Sequence, residues 1–373
     1  MPDQQELRKT PFHDRHVAME ARMGELAGWQ VPLSFRGAFE EAAEVRRRAG
    51  LFDVTPIGRL RIRGDGAVDL LSHLCTHDVE TQPDNTAALT LLCDESGGIL
   101  DICMLLRLES FWVLTTSPCN REKILQHLTA HAEDFGARVD DQTEITCQVA
   151  VAGPEAGALL DAVLPEPVSQ MSRRQVYVGS LMLARYIAMR TGCTGGWGIE
   201  VILPNMFAGR AWDFATRKAG ERAIPPIGEA AREILRVEAG LPAYGHEIDE
   251  TVNPAMAGLM HLVHDGKDFL GAEAVAKLRD KGSQRQLVGI AAKLPSESPA
   301  EAAIPRMGTS VLRADGNHAG SVTSGTYSPN LEKLLLLAYV TPESAEAGTK
   351  LCLPSRDDLI PGEVAELPFV KAS

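Results

Sequence analysis

Residues 334–340 read LLLLAYV, an unbroken apolar run between Glu332-Lys333 and Thr341-Pro342. A membrane span needs roughly 20 apolar residues, so this run is far too short to be one. Its length and its polar flanks suit a strand. On either side, Gln286–Lys293, Thr309–Arg313 and Lys350–Leu353 carry the same kind of signal, with Gly, Pro, Asn and Asp between them. Helix signals largely vanish after Lys281-Gly282-Ser283. The tail therefore reads as a small all-β domain of about ninety residues, within the usual domain size.

Upstream the pattern is mixed. Phe39 to Ala49 (FEEAAEVRRRA) reads as a helix with its acids early and its arginines late, the order that suits the helix dipole. Gly58–Gly64 alternates like a short strand, and residues 66–75 return to helical spacing. Leu89–Leu92, Ile99–Leu108 and Phe111–Thr115 read as strands around a Gly97-Gly98 turn. Asn120–Ala132 is helical and Ile145–Ala152 is a strand. The mixture then recurs, with helices at 155–164 and 207–219 and strands at 184–190 and 198–203. A further helix, Gly228–Glu238, stops at Gly240-Leu241-Pro242. The order is not a strict βαβ alternation, so the fold class is α+β with antiparallel sheets.

Composition narrows the function. The 373 residues suffice for two or three domains at roughly 100–200 residues each. Lys and Arg number 37 against 50 Asp and Glu, and the formal charge of −13 sets up a field that repels a polyphosphate. Aromatic residues are 5% of the chain, which argues against stacking platforms for single strands. Neither a nucleic acid nor a membrane is expected as a partner. Seven cysteines without a C-x-x-C pair suggest no disulfide framework and no zinc knuckle. The first residues, MPDQQELRKTPF, lack the apolar core of a secretory signal. A cytoplasmic protein with reduced thiols is the expectation.

Two features point to chemistry. Glu200 lies in an apolar strand, WGIEVIL, where alternation points its carboxylate inward; a buried acid needs a cation or a ligand rich in N–H donors. Arg232 sits on the helix that follows Gly228. A structural ion pair and a ligand site fit these two residues equally well. The histidine pairs His73/His77, His127/His131 and His261/His264 have helical ligand spacing, but no third ligand adjoins them and no metal is expected. Glycines at Gly97-Gly98 and in TGCTGGWGIE read as hairpin turns.

Longer motifs carry a resemblance. They are TPFHDRHVAMEARMGELAGWQVPLSF (Thr10–Phe35), GLFDVT (Gly50–Thr55), DESGGILD (Asp94–Asp101), TGCTGGWGIEV (Thr191–Val201), AREILRVEAGLPAYGHEIDETVNP (Ala231–Pro254), KDFLGAEAV (Lys267–Val275) and VTSGTYSPNLEKLLLLAYV (Val322–Val340). In this order, end to end, the chain resembles the aminomethyltransferase family, the T-protein of the glycine cleavage system and its folate-dependent relatives. The resemblance implies a multi-domain folate-binding fold around a central channel. Residues 1–280 would form two interleaved α+β domains and residues 285–373 a C-terminal β-barrel. It implies tetrahydrofolate as the cofactor, one-carbon transfer as the reaction and a lipoyl carrier protein as a partner. Glu200 matches the carboxylate that grips the pterin, and Arg232 matches an arginine that reaches folate or its glutamate tail.

Departures from the family cluster at the same place. Where the family reads G-G-(I/V)-(I/L)-D-D with a catalytic second acid, this chain reads Gly97-Gly98-Ile99-Leu100-Asp101-Ile102. Asp101 is then the catalytic candidate that remains. Adjacent strand residues face opposite sides, so it replaces the acid lost at Ile102 only through a bulge or a register shift. Cys193 and Gly196 stand where the family has tyrosine and glutamate, and Pro56-Ile57 where His-Met is frequent. The expectation is an aminomethyltransferase-like enzyme. The alternatives are a folate-dependent demethylase of a small molecule, or a folate-binding regulatory or assembly protein without catalysis.

Overall fold

The 334–340 run lies in the strand Lys333–Val340, which is buried on both faces. Leu334, Leu336, Ala338 and Val340 point into one core with Ile290, Val311 and Leu353. Leu335 and Leu337 point the other way onto Val237, and Tyr339 joins Ile248 and Val252. Burial on both sides is why this segment shows no apolar–polar alternation. The computed structural model describes residues 6–162, 164, 166–181, 184–218, 223–294, 304–355 and 358–371.

The strand belongs to a closed barrel, in the order Gln286–Ala292, Lys333–Val340, His318–Ser328, Ser310–Arg313, Lys350–Ser355 and Asp358–Ala365. Closure leaves no unpaired strand edge. Two of these strands, His318–Ser328 and Asp358–Ala365, go beyond the sequence reading. In the first, the buried positions after Val322 are Ser324, Thr326 and Ser328, which a bulge turns to the face of Leu335 and Leu337, so the face toward helix Glu229–Glu238 carries hydroxyls instead of an apolar pattern.

Upstream, helices and sheets mix as the α+β reading anticipates. A six-stranded sheet runs Val176–Leu181, Ala184–Thr191, Gly198–Pro204, Thr146–Ala152, Gly50–Asp53, Pro226–Ile227. It is antiparallel except at the last pair. One face packs on helices Ala156–Asp161 and Asn205–Asp213 through Leu159, Leu160, Ala208 and Trp212. The other face is covered partly by helices Ala38–Arg47 and Glu229–Glu238, through Val45, Ala231 and Leu235. The rest of that face meets a second sheet, with Met189 and Ile202 against Ala87, Leu106 and Val113. This second sheet has the order Thr86–Cys93, Ile99–Arg107, Trp112–Thr116, Gly58–Arg63, Arg138–Asp141 and carries helices Ala67–Leu74 and Arg121–Phe135. A small sheet of Arg8–Lys9, Trp29–Ser34 and Arg22–Leu26 was not anticipated.

Helix Glu229–Glu238 joins these parts. Its end is a Schellman motif: Gly240 has φ +63°, its N–H reaches the Val237 carbonyl at 2.9 Å, and the Leu241 N–H reaches Arg236 at 2.9 Å. At its start, the Gly228 N–H donates to Glu41 Oε2 at 2.7 Å. Glu41 is fully buried, and its Oε1 also accepts from the N–H groups of Phe35, Arg36 and Gly37 at 2.6, 2.7 and 3.0 Å. Four backbone donors thus saturate one buried carboxylate and satisfy its desolvated charge. Toward the barrel, buried Arg236 donates to Glu247 Oε2 at 3.0 Å and to Ser324 Oγ at 2.7 Å. Glu238 accepts from Arg46 Nε at 2.7 Å and from Ser328 Oγ. No helix among the described residues is long and apolar enough to cross a membrane.

Candidate functional site

Glu200 projects from Gly198–Pro204 on the sheet face shared by the helix layer and the second sheet, opposite Ala150 and Met189. Its side chain stays partly accessible although protein surrounds it. Oε2 accepts a bond from Gln148 Nε2 at 2.6 Å and Oε1 one from Thr191 Oγ1 at 2.8 Å. A carboxylate offers about four lone-pair sites, so roughly two remain for N–H donors. Burial raises the Glu200 pKa, while the bonds from Thr191 and Gln148 and the charge of Arg232 act against that rise.

Arg232 lies near Glu200, on the helix that covers this face. Its Nε and Nη2 grip Glu229 at 2.8 and 2.6 Å, one helical turn back. The neighbouring Glu229 carboxylate is the chief reason its pKa is raised. Its Nη1 makes no hydrogen bond among the described residues, so the pairing spends only part of the guanidinium fork.

Asp101 is fully buried. Its Oδ1 accepts from Ser117 Oγ at 2.6 Å and the Ile102 N–H at 2.9 Å; its Oδ2 accepts from the Ser117 N–H at 2.9 Å. Burial raises its pKa, and the Ser117 bonds oppose the shift. A bulge does interrupt the ladder: Leu92 pairs with Asp101 but Cys93 pairs with Ile99, which leaves Leu100 as the extra residue. It does not bring Asp101 to the side of Ile102. Asp101 stays on the face of Leu92 and Cys103, whereas Ile102 lies on the opposite face, partly exposed against Leu91, Ile99, Ile248 and Val252. Tyr244 packs on that same cluster, its hydroxyl accepting from Lys123 Nζ at 2.7 Å, and Lys123 also pairs with Glu250 at 2.6 Å. Glu200 and Arg232 lie within electrostatic reach of each other but form no ion pair among the described residues, Arg232 pairing with Glu229 instead. Asp101 shares no hydrogen bond or ion pair with either among the described residues.

Comparison with known proteins agrees across the whole length. Residues 12–267 match the family described as the GCVT N-terminal domain, and residues 285–371 match the glycine cleavage T-protein C-terminal barrel domain. The chain belongs to the glycine cleavage T-protein family. A curated relative from Rubrobacter xylanophilus named aminomethyltransferase is 35% identical, over 98% of this chain and 95% of that one. One of the same name from Thermotoga neapolitana is 33% identical over 98% and 99%. The solved glycine cleavage system aminomethyltransferase T of Bartonella henselae superposes with a TM-score of 0.89 at 29% identity, covering 98% of each chain.

Membership in the T-protein family accounts for the α+β body and the terminal barrel. Several neighbours of Glu200 were not anticipated from sequence. Gln148 and Thr191 meet it only because Thr146–Ala152 and Ala184–Thr191 flank its strand. Glu229 carried a local signal, its i, i+3 spacing to Arg232. Cys193 lies within electrostatic reach of Glu200 and Arg232, and burial pushes its thiol up to about 12, so it is uncharged near neutrality. Of the histidine pairs, the His127 and His131 rings lie 5.0 Å apart, and His73 comes within 5.7 Å of His131. No metal-holding group of three such side chains exists among the described residues.

Proposed function

We propose that this chain is a tetrahydrofolate-dependent one-carbon transferase of the aminomethyltransferase type. The observation that carries the reading is Glu200: an under-satisfied carboxylate on a covered sheet face, with Arg232 beside it and an uncommitted Nη1. The fit to folate rests on donors and acceptors. The Gln148 Oε1 atom is buried without a partner, and Glu200 retains lone pairs for the N–H edge of a pterin. Glu200 would take the pterin N3–H and 2-amino group, and Arg232 the carbonyl or glutamate end. Bound folate would supply the nitrogen that accepts the one-carbon unit. The residues of the chain bind, orient and exclude water around it. A lipoyl carrier protein is the proposed bearer of the donor.

Asp101 enters this reading as the acid nearest the lost position. Its burial and its three donors suit it to holding Ser117 and the start of its strand in place. Ile102 can neither orient nor exchange a proton. Its apolar surroundings favour, as the second reading, a folate-dependent demethylase that takes a small methyl donor in place of the lipoyl carrier.

The test is calorimetry with tetrahydrofolate. Glu200→Ala should weaken binding by about 2–4 kcal/mol, the loss expected for a charged hydrogen-bonding partner. Absence of folate binding by the unaltered protein refutes the reading. Folate binding with turnover of a methylated small molecule, and none of an aminomethylated carrier, selects the demethylase.

A further inference from the structure

The geometry points to Gln148 as a positioning residue that holds the Glu200 carboxylate in its ligand-ready orientation, with Thr191 as its counterpart on the other oxygen. Gln148 is fully buried on Thr146–Ala152, two residues before Ala150, which pairs with Glu200 across the ladder. Residues on its face, Ala150 and Ala152, belong to an apolar cluster with Phe52 and Ile227. A leucine would fill that space and remove the orphaned amide oxygen, but it would also take the donor from Glu200 Oε2. The glutamine instead leaves Oε1 buried and unpartnered, a destabilising arrangement, and gains a single side-chain bond, the 2.6 Å one to Glu200. The amide is therefore poorly explained by packing and well explained by what it does to Glu200.

Gln148 Nε2 and Thr191 Oγ1 each occupy one lone pair on a different carboxylate oxygen, which fixes the plane of the group and leaves the outward lone pairs free. Both bonds favour the ionised form against the burial that disfavours it. Arg232, Glu229 and the neutral thiol of Cys193 are the other titratable groups around this carboxylate. The proposal rests on Glu200 being the folate carboxylate, and it adds which residues make it competent.

Two measurements separate this proposal from the reading beneath it. In folate-free protein, the Glu200 side-chain carbon followed by 13C NMR should titrate about one pH unit higher in Gln148→Leu, since one charge-stabilising bond is gone. The melting temperature should change little, because removal of the orphaned oxygen offsets the bond lost from Glu200. With tetrahydrofolate, Gln148→Leu should bind about tenfold more weakly near neutrality, and its affinity should fail at a higher pH than that of the unaltered protein. Thr191→Val should behave alike, and Thr191→Ser should restore both readouts. A lowered melting temperature with an unchanged Glu200 titration overturns the proposal and makes Gln148 structural only. An upward Glu200 shift in a protein that binds no folate supports the positioning role and refutes the folate reading instead.

Discussion

Introducing an acid at position 102 is the sharpest perturbation of the proposed site. Ile102→Asp removes a partly exposed side chain from the cluster of Leu91, Ile99, Ile248 and Val252. Partial exposure keeps the loss of stability to about 1–2 kcal/mol, below the range for a fully buried large-to-small change. Tyr244 packs on the same cluster with the Lys123 ammonium at its hydroxyl, which places a cation in the neighbourhood of the new carboxylate. General acid–base assistance is worth 10²–10⁴-fold in rate, on the order of 3–5 kcal/mol of barrier. The net expectation is a protein that melts a few degrees lower and turns over faster by about two orders of magnitude or more. The assay is formation of methylenetetrahydrofolate from an aminomethylated lipoyl carrier under single-turnover conditions. A folded, folate-binding Ile102→Asp protein with no gain refutes the reasoning. So does full turnover by the unaltered protein that Asp101→Asn abolishes, because the buried acid would then be performing the chemistry.

Two further expectations concern stability and pH. Glu41→Ala takes the acceptor from four backbone N–H groups, that of Gly228 buried and those of Phe35, Arg36 and Gly37 partly so, and should destabilise the fold by about 2–4 kcal/mol in urea unfolding; a loss below about 1 kcal/mol contradicts the saturation described above. Burial, followed by His131, His73 and Lys123, pushes the pKa of His127 down to about 4. A depressed histidine is neutral in the fold and binds its proton more readily when unfolded, so its contribution is complete above roughly pH 6.5 and is lost as pH falls toward 4. His127→Leu should therefore flatten the fall in urea midpoint between pH 7 and pH 5, and an unchanged slope would remove His127 as its cause.

Legibility from sequence followed physical lines. Strands with an apolar face, such as Ile99–Arg107 and Thr146–Ala152, announced themselves, and so did the helix ended by Gly240. His318–Ser328 did not. The hydroxyls of Ser324 and Ser328 are satisfied by Arg236, Glu247 and Glu238 from distant segments, and no local pattern encodes those partners. The inward carboxylate of Glu200 was readable because a charge in an apolar run is conspicuous. Gln148, in CQVAVA, looks like one polar residue in an alternating strand, and only sheet pairing brings it to Glu200. For Asp101 and Ile102, strand alternation gave the facing, whereas the embrace of Asp101 by Ser117 required the hairpin partner across the sheet.

The strand Lys333–Val340 serves two cores at once. Its even residues close the barrel, and Leu335 and Leu337 seal the barrel against the helix that carries Arg232 while Tyr339 packs on Ile248 and Val252. The barrel therefore has no finished surface on that side. Expressed alone, it would show Leu335, Leu337 and Tyr339 to water in a row, a sticky stripe on a strand. In the whole chain the shared strand should couple the opening of the two parts. Amide exchange deep in the barrel and in the Arg232 helix should then share one free energy, and any ligand gripped by Glu200 and Arg232 should protect the barrel as well.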